Sequence, residues 1–182
     1  MELNIHLHLP DAIAQLAISL NRKINKVASG EIHFSDPQQH IPHLTLTMGD
    51  LSQDVAVDTV LARARELAAR LSQLRLATTH PYLARPSRKF VFLDVTPKPT
   101  VQEMKRSAYD AFSDLLTIPW AGQPDNDPHI TVGYILQKQD VVETLLSQEQ
   151  FSSQGDVVSI GVAEMGRRGT CVRLLQSFPL VT

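Results

Sequence analysis

Cysteine is almost missing from this chain: among 182 residues there is one, Cys171. A single thiol excludes an intrachain disulfide and any metal site built from several cysteines. It fits a reducing compartment, and a cytoplasmic protein is expected. Aromatic residues are scarce too, at 5%. No apolar run reaches the roughly 18 residues that a membrane span requires. The N-terminus lacks a charged stretch followed by an apolar one, so secretion is not expected either. Neither sign of charge dominates, with a net charge of −2. The polybasic footprint of a protein that grips a long nucleic-acid track is therefore missing, which favours a small or single-ended substrate. Low-complexity segments and short-period repeats are absent. The 43% hydrophobic and 20% charged residues are those of an ordinary globular protein. Residues 1–182 are long enough for a real core and are expected to form a single domain of two lobes.

One short pattern occurs twice in this composition. Pro42-His43-Leu44-Thr45-Leu46 and Pro128-His129-Ile130-Thr131-Val132 both read Pro-His-apolar-Thr-apolar, and each is followed by a glycine, Gly49 or Gly133. Residues i and i+2 of a β-strand point to one face, so each copy presents an imidazole and a hydroxyl side by side. Two copies facing each other would surround one cavity with two imidazoles and two hydroxyls. A His-x-Thr triplet by itself is weak; the longer shared pattern is more specific. The plain alternative is two half-buried strands whose polar faces carry His and Thr. His43 and His129 are 86 residues apart (129 − 43), close to half the chain, which suggests an internal pseudo-duplication.

The rest of the chain alternates strands and helices. Leu3 to Leu9 alternates apolar and polar residues, with Asn4, His6 and His8 on the polar face. A helix follows Pro10-Asp11, with Ile13, Leu16, Ala17, Leu20 and Ile24 in its stripe. Glu31 to Phe34 reads as a short strand and Asp36 to Gln39 as a turn. Ile41 to Met48 is the first motif strand, closed by Gly49-Asp50. Asp54 to Leu74 reads as a long amphipathic helix, Leu74 to Leu83 and Phe90 to Thr96 as strands, and Val101 to Leu116 as a third helix. A polar loop from Pro119 to Pro128 carries Trp120, the only tryptophan. His129 to Leu136 is the second motif strand, Gln139 to Gln148 a helix, and Val157 to Ala163 with Thr170 to Phe178 a hairpin. The expected fold is α+β and bilobal: two antiparallel sheets lining a central cleft, with helices outside.

His43-Leu44-Thr45 and His129-Ile130-Thr131, together with their separation and the strand–helix order, make the sequence similar to the 2H phosphoesterase superfamily, also called the 2′-5′ RNA ligase or cyclic phosphodiesterase superfamily. The run from Arg168-Gly169-Thr170 to Phe178 resembles that family's last hairpin, so the likeness spans nearly the whole chain. The family often has a tyrosine on this hairpin; here Cys171 or Val172 stands near its place. The resemblance implies a bilobal fold and phosphoester chemistry that needs no metal or other cofactor. The substrates it implies are nucleotides or RNA ends with a 2′,3′-cyclic phosphate or a 2′-5′ linkage.

Opening a cyclic phosphate with water requires a base for the water, an acid for the leaving ribose oxygen, and donors for the charge on phosphorus oxygens. Imidazole suits both proton roles near neutral pH. His43 and His129 are therefore the expected acid/base pair and Thr45 and Thr131 the expected phosphate binders, without a basis in sequence for saying which histidine is which. His6, His8 and Thr47 are candidates to line the cleft, as are Phe90 and Phe92, whose rings could stack on a base. Arg167 and Arg168, at a turn, could meet a phosphate. Tyr134 falls on the face opposite His129 if its strand is regular, and is expected to be structural. A metal site from His6, His8, His43 and His129 is conceivable, since imidazole is a common ligand, but no spacing favours it. The function expected is hydrolysis of a cyclic phosphodiester by a monomer. The alternatives are 2′-5′ ligation or cleavage by the same histidines, and a non-catalytic nucleotide- or RNA-binding module.

Overall fold

The computed structural model describes residues 1–34, 41–148 and 151–182. Its strands are β1 (Glu2–His8), β2 (His43–Leu51), β3 (Leu74–Leu83), β4 (Phe90–Thr96), β5 (Leu116–Thr117), β6 (His129–Tyr134), β7 (Gln154–Val157), β8 (Ser159–Met165) and β9 (Cys171–Pro179). The helices are α1 (Asp11–Ala28), α2 (Val57–Ala68), α3 (Lys98–Phe112) and α4 (Gln139–Ser147). Two antiparallel sheets result, one in the order β5-β2-β1-β8-β9 and one in the order β6-β4-β3-β7. The bilobal α+β architecture expected from the alternation of strands and helices is the one found. The helices are exchanged between lobes. α1 follows β1 of the first sheet but packs on β6 and β7 of the second, and α3 follows β4 of the second sheet but packs on β2 of the first.

Each motif strand buries one face completely. Leu44, Leu46, Ile130 and Val132 are all 0% exposed. A one-residue slip would bring these four out and the His and Thr in, at about 1.5–3 kcal/mol for each large aliphatic side chain. The register of the polar face is thus set by the apolar residues between its members.

Both motif strands also carry an extra residue at the same place. β1 pairs with β2 as His8↔His43, Leu7↔Leu44 and His6↔Thr45, then Ile5↔Thr47, so Leu46 is skipped. β4 pairs with β6 as Asp94↔His129, Leu93↔Ile130 and Phe92↔Thr131, then Val91↔Gly133, so Val132 is skipped. The offset of 86 residues that relates the two motifs also relates the strands beside them: His8 corresponds to Asp94 and His6 to Phe92. A bulge reverses the alternation beyond it. Thr47 therefore joins Ile5 on the core side, and Tyr134, paired with Phe90, joins the face of His129 and Thr131, where it is buried with Ile18, Ile32 and Phe34 and so structural as expected. The expectations that Thr47 shares the face of His43 and that Tyr134 lies opposite His129 both assumed a regular strand.

Other differences have local causes. Glu31 to Phe34 forms no strand; its backbone is clamped by side chains from α1. Asn21 and Asn25 both donate to the Ile32 carbonyl at 2.9 Å, and the Phe34 N–H donates to Asn21 Oδ1 at 3.1 Å. The turn read at Asp36 to Gln39 lies outside the described residues. α2 stops at Ala68 because Leu71 to Gln73 are held against Val181 by backbone bonds. α3 begins at Lys98, since a proline in the first turn loses no helical hydrogen bond. The strand read from Val157 is two strands: it breaks at exposed Val158, leaving β7 in one sheet and β8 in the other. The two-residue β5 pairs with Leu51 and Asp50. Gly49 makes that edge accessible, because a Cβ there would stand 2.5 Å from the Thr117 carbonyl oxygen. Gly133 meets only ordinary contacts.

Candidate functional site

The two motif histidines are held in the same way. His43 Nδ1 lies 2.8 Å from the carbonyl oxygen of Ile41, and His129 Nδ1 lies 2.7 Å from that of Asp127. In each case the partner is two residues back, across the motif proline. A carbonyl only accepts, so Nδ1 carries the hydrogen in both rings and Nε2 keeps its lone pair. β2 and β6 lie beside each other between the sheets, and the charge of His43 is one of the influences on His129. The structure thus brings the two imidazoles together, each held through Nδ1.

Both rings favour the neutral form. The pKa of His43 is lowered, mainly by burial, with a smaller lowering from His8; the Ile41 and Gly169 carbonyls act the other way. His129 is pushed down to about 4, mainly by burial, with Lys105 and His43 also lowering it against the Asp127 carbonyl and carboxylate. Its ring lies flat on Phe92, with centroids 3.7 Å apart and planes at 22°.

The threonines differ in support. Asn4, fully buried, donates from Nδ2 to Thr45 Oγ1 at 3.0 Å. This occupies the hydroxyl's acceptor side and leaves its hydrogen free to be donated into the cleft. Thr131 is half-buried opposite Phe92. Thr47 is placed elsewhere: it is fully buried and donates to the Gly122 carbonyl at 3.1 Å, tying the Trp120–Gly122 turn to β2. Thr47→Val would leave that carbonyl short of a donor. A loss of about 1–2 kcal/mol in urea unfolding is expected, with turnover unchanged; a drop in turnover at unchanged stability would put Thr47 in the cleft.

His6 and His8 lie behind His43. The His6 ring is 5.2 Å from that of His43 and 5.0 Å from that of His8. His6 is fully buried with its pKa well below the usual value, first through burial and then through His43 and His8. Gly161 makes this packing feasible. It pairs with His6, and a Cβ there would stand 2.5 Å from His8 Nε2 and 2.6 Å from His6 Nε2. Cys171 is buried with its thiol pushed up to about 12 by burial, and its Sγ is 3.9 Å from His6 Nδ1. Among the described residues no three His, Cys, Asp or Glu side chains converge as a metal site.

Several residues at the site carried no signal, or a misleading one. Asp94, paired with His129, binds Lys98 at 2.9 Å and accepts from Thr79 at 3.0 Å. Buried Lys105 donates to the Asn126 carbonyl at 2.6 Å, and burial lowers its pKa to about 8. With Gln102, which donates to the Pro124 carbonyl, it fixes the loop that leads into His129. Asn4 was visible only as a polar-face residue beside His6. Of the two turn arginines, Arg168 lies over the Tyr134 ring at 4.2 Å and pairs with Glu31 at 2.9 Å. Trp120 is 80% exposed, so it does not anchor its loop to the body. A groove of about 580 Å³ between α2 and α3, lined by Arg63, Glu66, Arg70, Ser107 and Asp110 among others, contains none of the motif residues.

Two antiparallel sheets, exchanged helices and a pair of equivalent His-x-Thr strands describe a protein of the two-histidine phosphoesterase type. The chain belongs to the 2′-5′ RNA ligase superfamily, whose model matches residues 10–168. That membership supports an enzyme of phosphoesterase or ligase type. Among solved structures it is similar in fold to TT0787 of Thermus thermophilus, with a TM-score of 0.69 at 17% identity over 99% of this chain and 98% of that one. It is also similar to LigT of E. coli complexed with ATP (0.57, 17%, covering 100% and 98%) and to Usb1 of Kluyveromyces marxianus (0.51, 13%, covering 98% of each). LigT has also been solved with 3′-AMP. A search among curated proteins finds no match. Among the described residues no helix is long and apolar enough to cross a membrane.

Proposed function

We propose that the protein hydrolyses 2′,3′-cyclic phosphodiesters of nucleotides or RNA ends, with His43 and His129 as the acid/base pair and Thr45 and Thr131 as phosphate donors. The observation that carries this reading is the identical seating of the two rings, each with Nδ1 on the carbonyl two residues back. A neutral Nε2 takes a proton from water as the water oxygen bonds to phosphorus. A protonated Nε2 gives its proton to the ribose oxygen as the second phosphorus–oxygen bond breaks, leaving a phosphate monoester. The two hydroxyls stabilise the charge on the non-bridging oxygens. No metal or cofactor takes part. With a ribose hydroxyl in place of water the same groups would make or break a 2′-5′ linkage, a second reading favoured by the family match.

The test is to incubate the protein, with EDTA present, with each of the four nucleoside 2′,3′-cyclic monophosphates and follow the products by chromatography. Conversion to one phosphate isomer is expected. No conversion by folded protein of these or of RNA ending in a 2′,3′-cyclic phosphate would sink the hydrolytic reading.

A further inference from the structure

Aromatic residues are few here, so their placement carries information. Of one Trp, three Tyr and six Phe, four side chains (Tyr82, Phe90, Phe92 and Tyr134) gather on the face of the second sheet that holds His129. The main buried face of these strands is made by Leu83, Val91, Leu93 and Val95; on the opposite face Tyr134 and Phe90 pack in a small cluster with Ile18, Ile32 and Phe34, while Phe92 and Tyr82 are half-buried. From Phe92 the ring contacts run in two directions. Along the strand they pass to Phe90 at 5.7 Å and Tyr134 at 4.7 Å, where Arg168 closes the row. Across the sheet they pass to Tyr82 at 5.9 Å and on to His80 at 5.9 Å. This second arm is open, with Tyr82 half-buried and His80 exposed. It leads from His129 outward over β4 and β3.

We propose that Tyr82 and His80 form a second nucleobase subsite, which takes the base next to the scissile phosphate, so that the substrate class is a single-stranded RNA 3′ end of at least two nucleotides. The inference rests on the proposed function, which places the reacting phosphate between His43 and His129. Half-exposed rings continuous with that position offer π-faces to successive bases, and such stacking is tolerant of sequence. Phosphate contacts are limited, because two cations nearby are engaged, Lys98 by Asp94 and Asp127 and Arg88 by Asp140 and Glu143. This agrees with a net charge of −2 and implies a shallow dependence of binding on salt.

Two measurements test the subsite. The first is fluorescence anisotropy with a 5′-labelled RNA tetranucleotide ending in a 3′-phosphate, which has no cyclic ester to open. The second compares kcat/KM for a 2′,3′-cyclic mononucleotide and for a tetranucleotide ending in a 2′,3′-cyclic phosphate. Tyr82→Ala is expected to weaken tetranucleotide binding and lower its kcat/KM about tenfold, leave the mononucleotide unchanged, and preserve the circular dichroism spectrum. Tyr82→Phe should behave as wild type, since stacking needs only the ring. The subsite is overturned if folded wild-type protein does not bind the tetranucleotide, if Tyr82→Ala handles it like wild type, or if the variant loses equally on both cyclic substrates. If no cyclic ester is opened but tetranucleotide binding still depends on Tyr82, the subsite stands and the hydrolytic reading falls.

Discussion

His43→Ala and His129→Ala are each expected to lower turnover of a 2′,3′-cyclic phosphate by about 10²–10⁴, the range for loss of a positioned acid or base. The double variant should fall little below either single one, because a reaction that needs both proton transfers is already crippled by losing one. Thr45→Val and Thr131→Val should cost about 10²–10³ through kcat, the scale of a lost donor to a charged oxygen. Asn4 makes Thr45 the better-oriented of the two, since Asn4 Nδ2 occupies the hydroxyl's acceptor side. Binding of the phosphate monoester product should survive in both histidine variants. The distinguishing readout is therefore turnover against binding: variants that lose both together, with lower thermal stability, would make the histidines structural, and full activity in either would end the two-imidazole scheme.

What could be read in the chain was what depends on near neighbours. The alternation Leu3, Ile5, Leu7 against Asn4, His6, His8 gave a strand with its faces assigned, and all three aliphatic residues are fully buried. The repeated Pro-His-apolar-Thr-apolar pattern located two strands that fold side by side, and the alternation from Phe90 to Thr96 sorted core from cleft. What stayed hidden depends on distant partners. A bulge is a property of two strands, and nothing in His43 to Thr47 alone says that β1 will skip Leu46. Its consequence is large, since it moves Thr47 to the core and Tyr134 to the face of His129, where Tyr134 packs with Ile18, Ile32 and Phe34 as a structural residue. The Glu31 to Phe34 segment has the apolar spacing of a strand, with Ile32 and Phe34 buried, yet side-chain amides from α1 satisfy its backbone, and no periodicity reports that.

The corresponding bulges also show where the two halves differ. At equivalent places beside the motif strands, the first sheet has Asn4, His6 and His8, and the second has Phe90, Phe92 and Asp94. One motif strand is backed by buried hydrogen-bonding groups and imidazoles, the other by rings. A pseudo-symmetric scaffold thus gives its two motif histidines unlike surroundings, which suits the proposed substrate, with a nucleoside on one side of its phosphate.

The dependence of kcat/KM on pH should be bell-shaped with its maximum below the 6.5 of an unperturbed histidine, falling about tenfold per pH unit on the alkaline side. The reaction needs one ring neutral and one protonated. In the free protein both pKa values lie below the ordinary one, His129 at about 4. Burial disfavours the charged form, so fewer protons are bound at a given pH, and above pH 6.5 the singly protonated pair becomes scarcer as pH rises. Because the rings influence each other, the two limbs belong to the pair and not to either residue. A bound phosphate anion favours an imidazolium beside it. The alkaline limb of kcat, which reports the substrate complex, should therefore lie at higher pH than that of kcat/KM. Steady-state rates from pH 4 to 9 at constant ionic strength would check both statements. A kcat/KM that rises steadily through neutral pH would show that no protonated imidazole is needed.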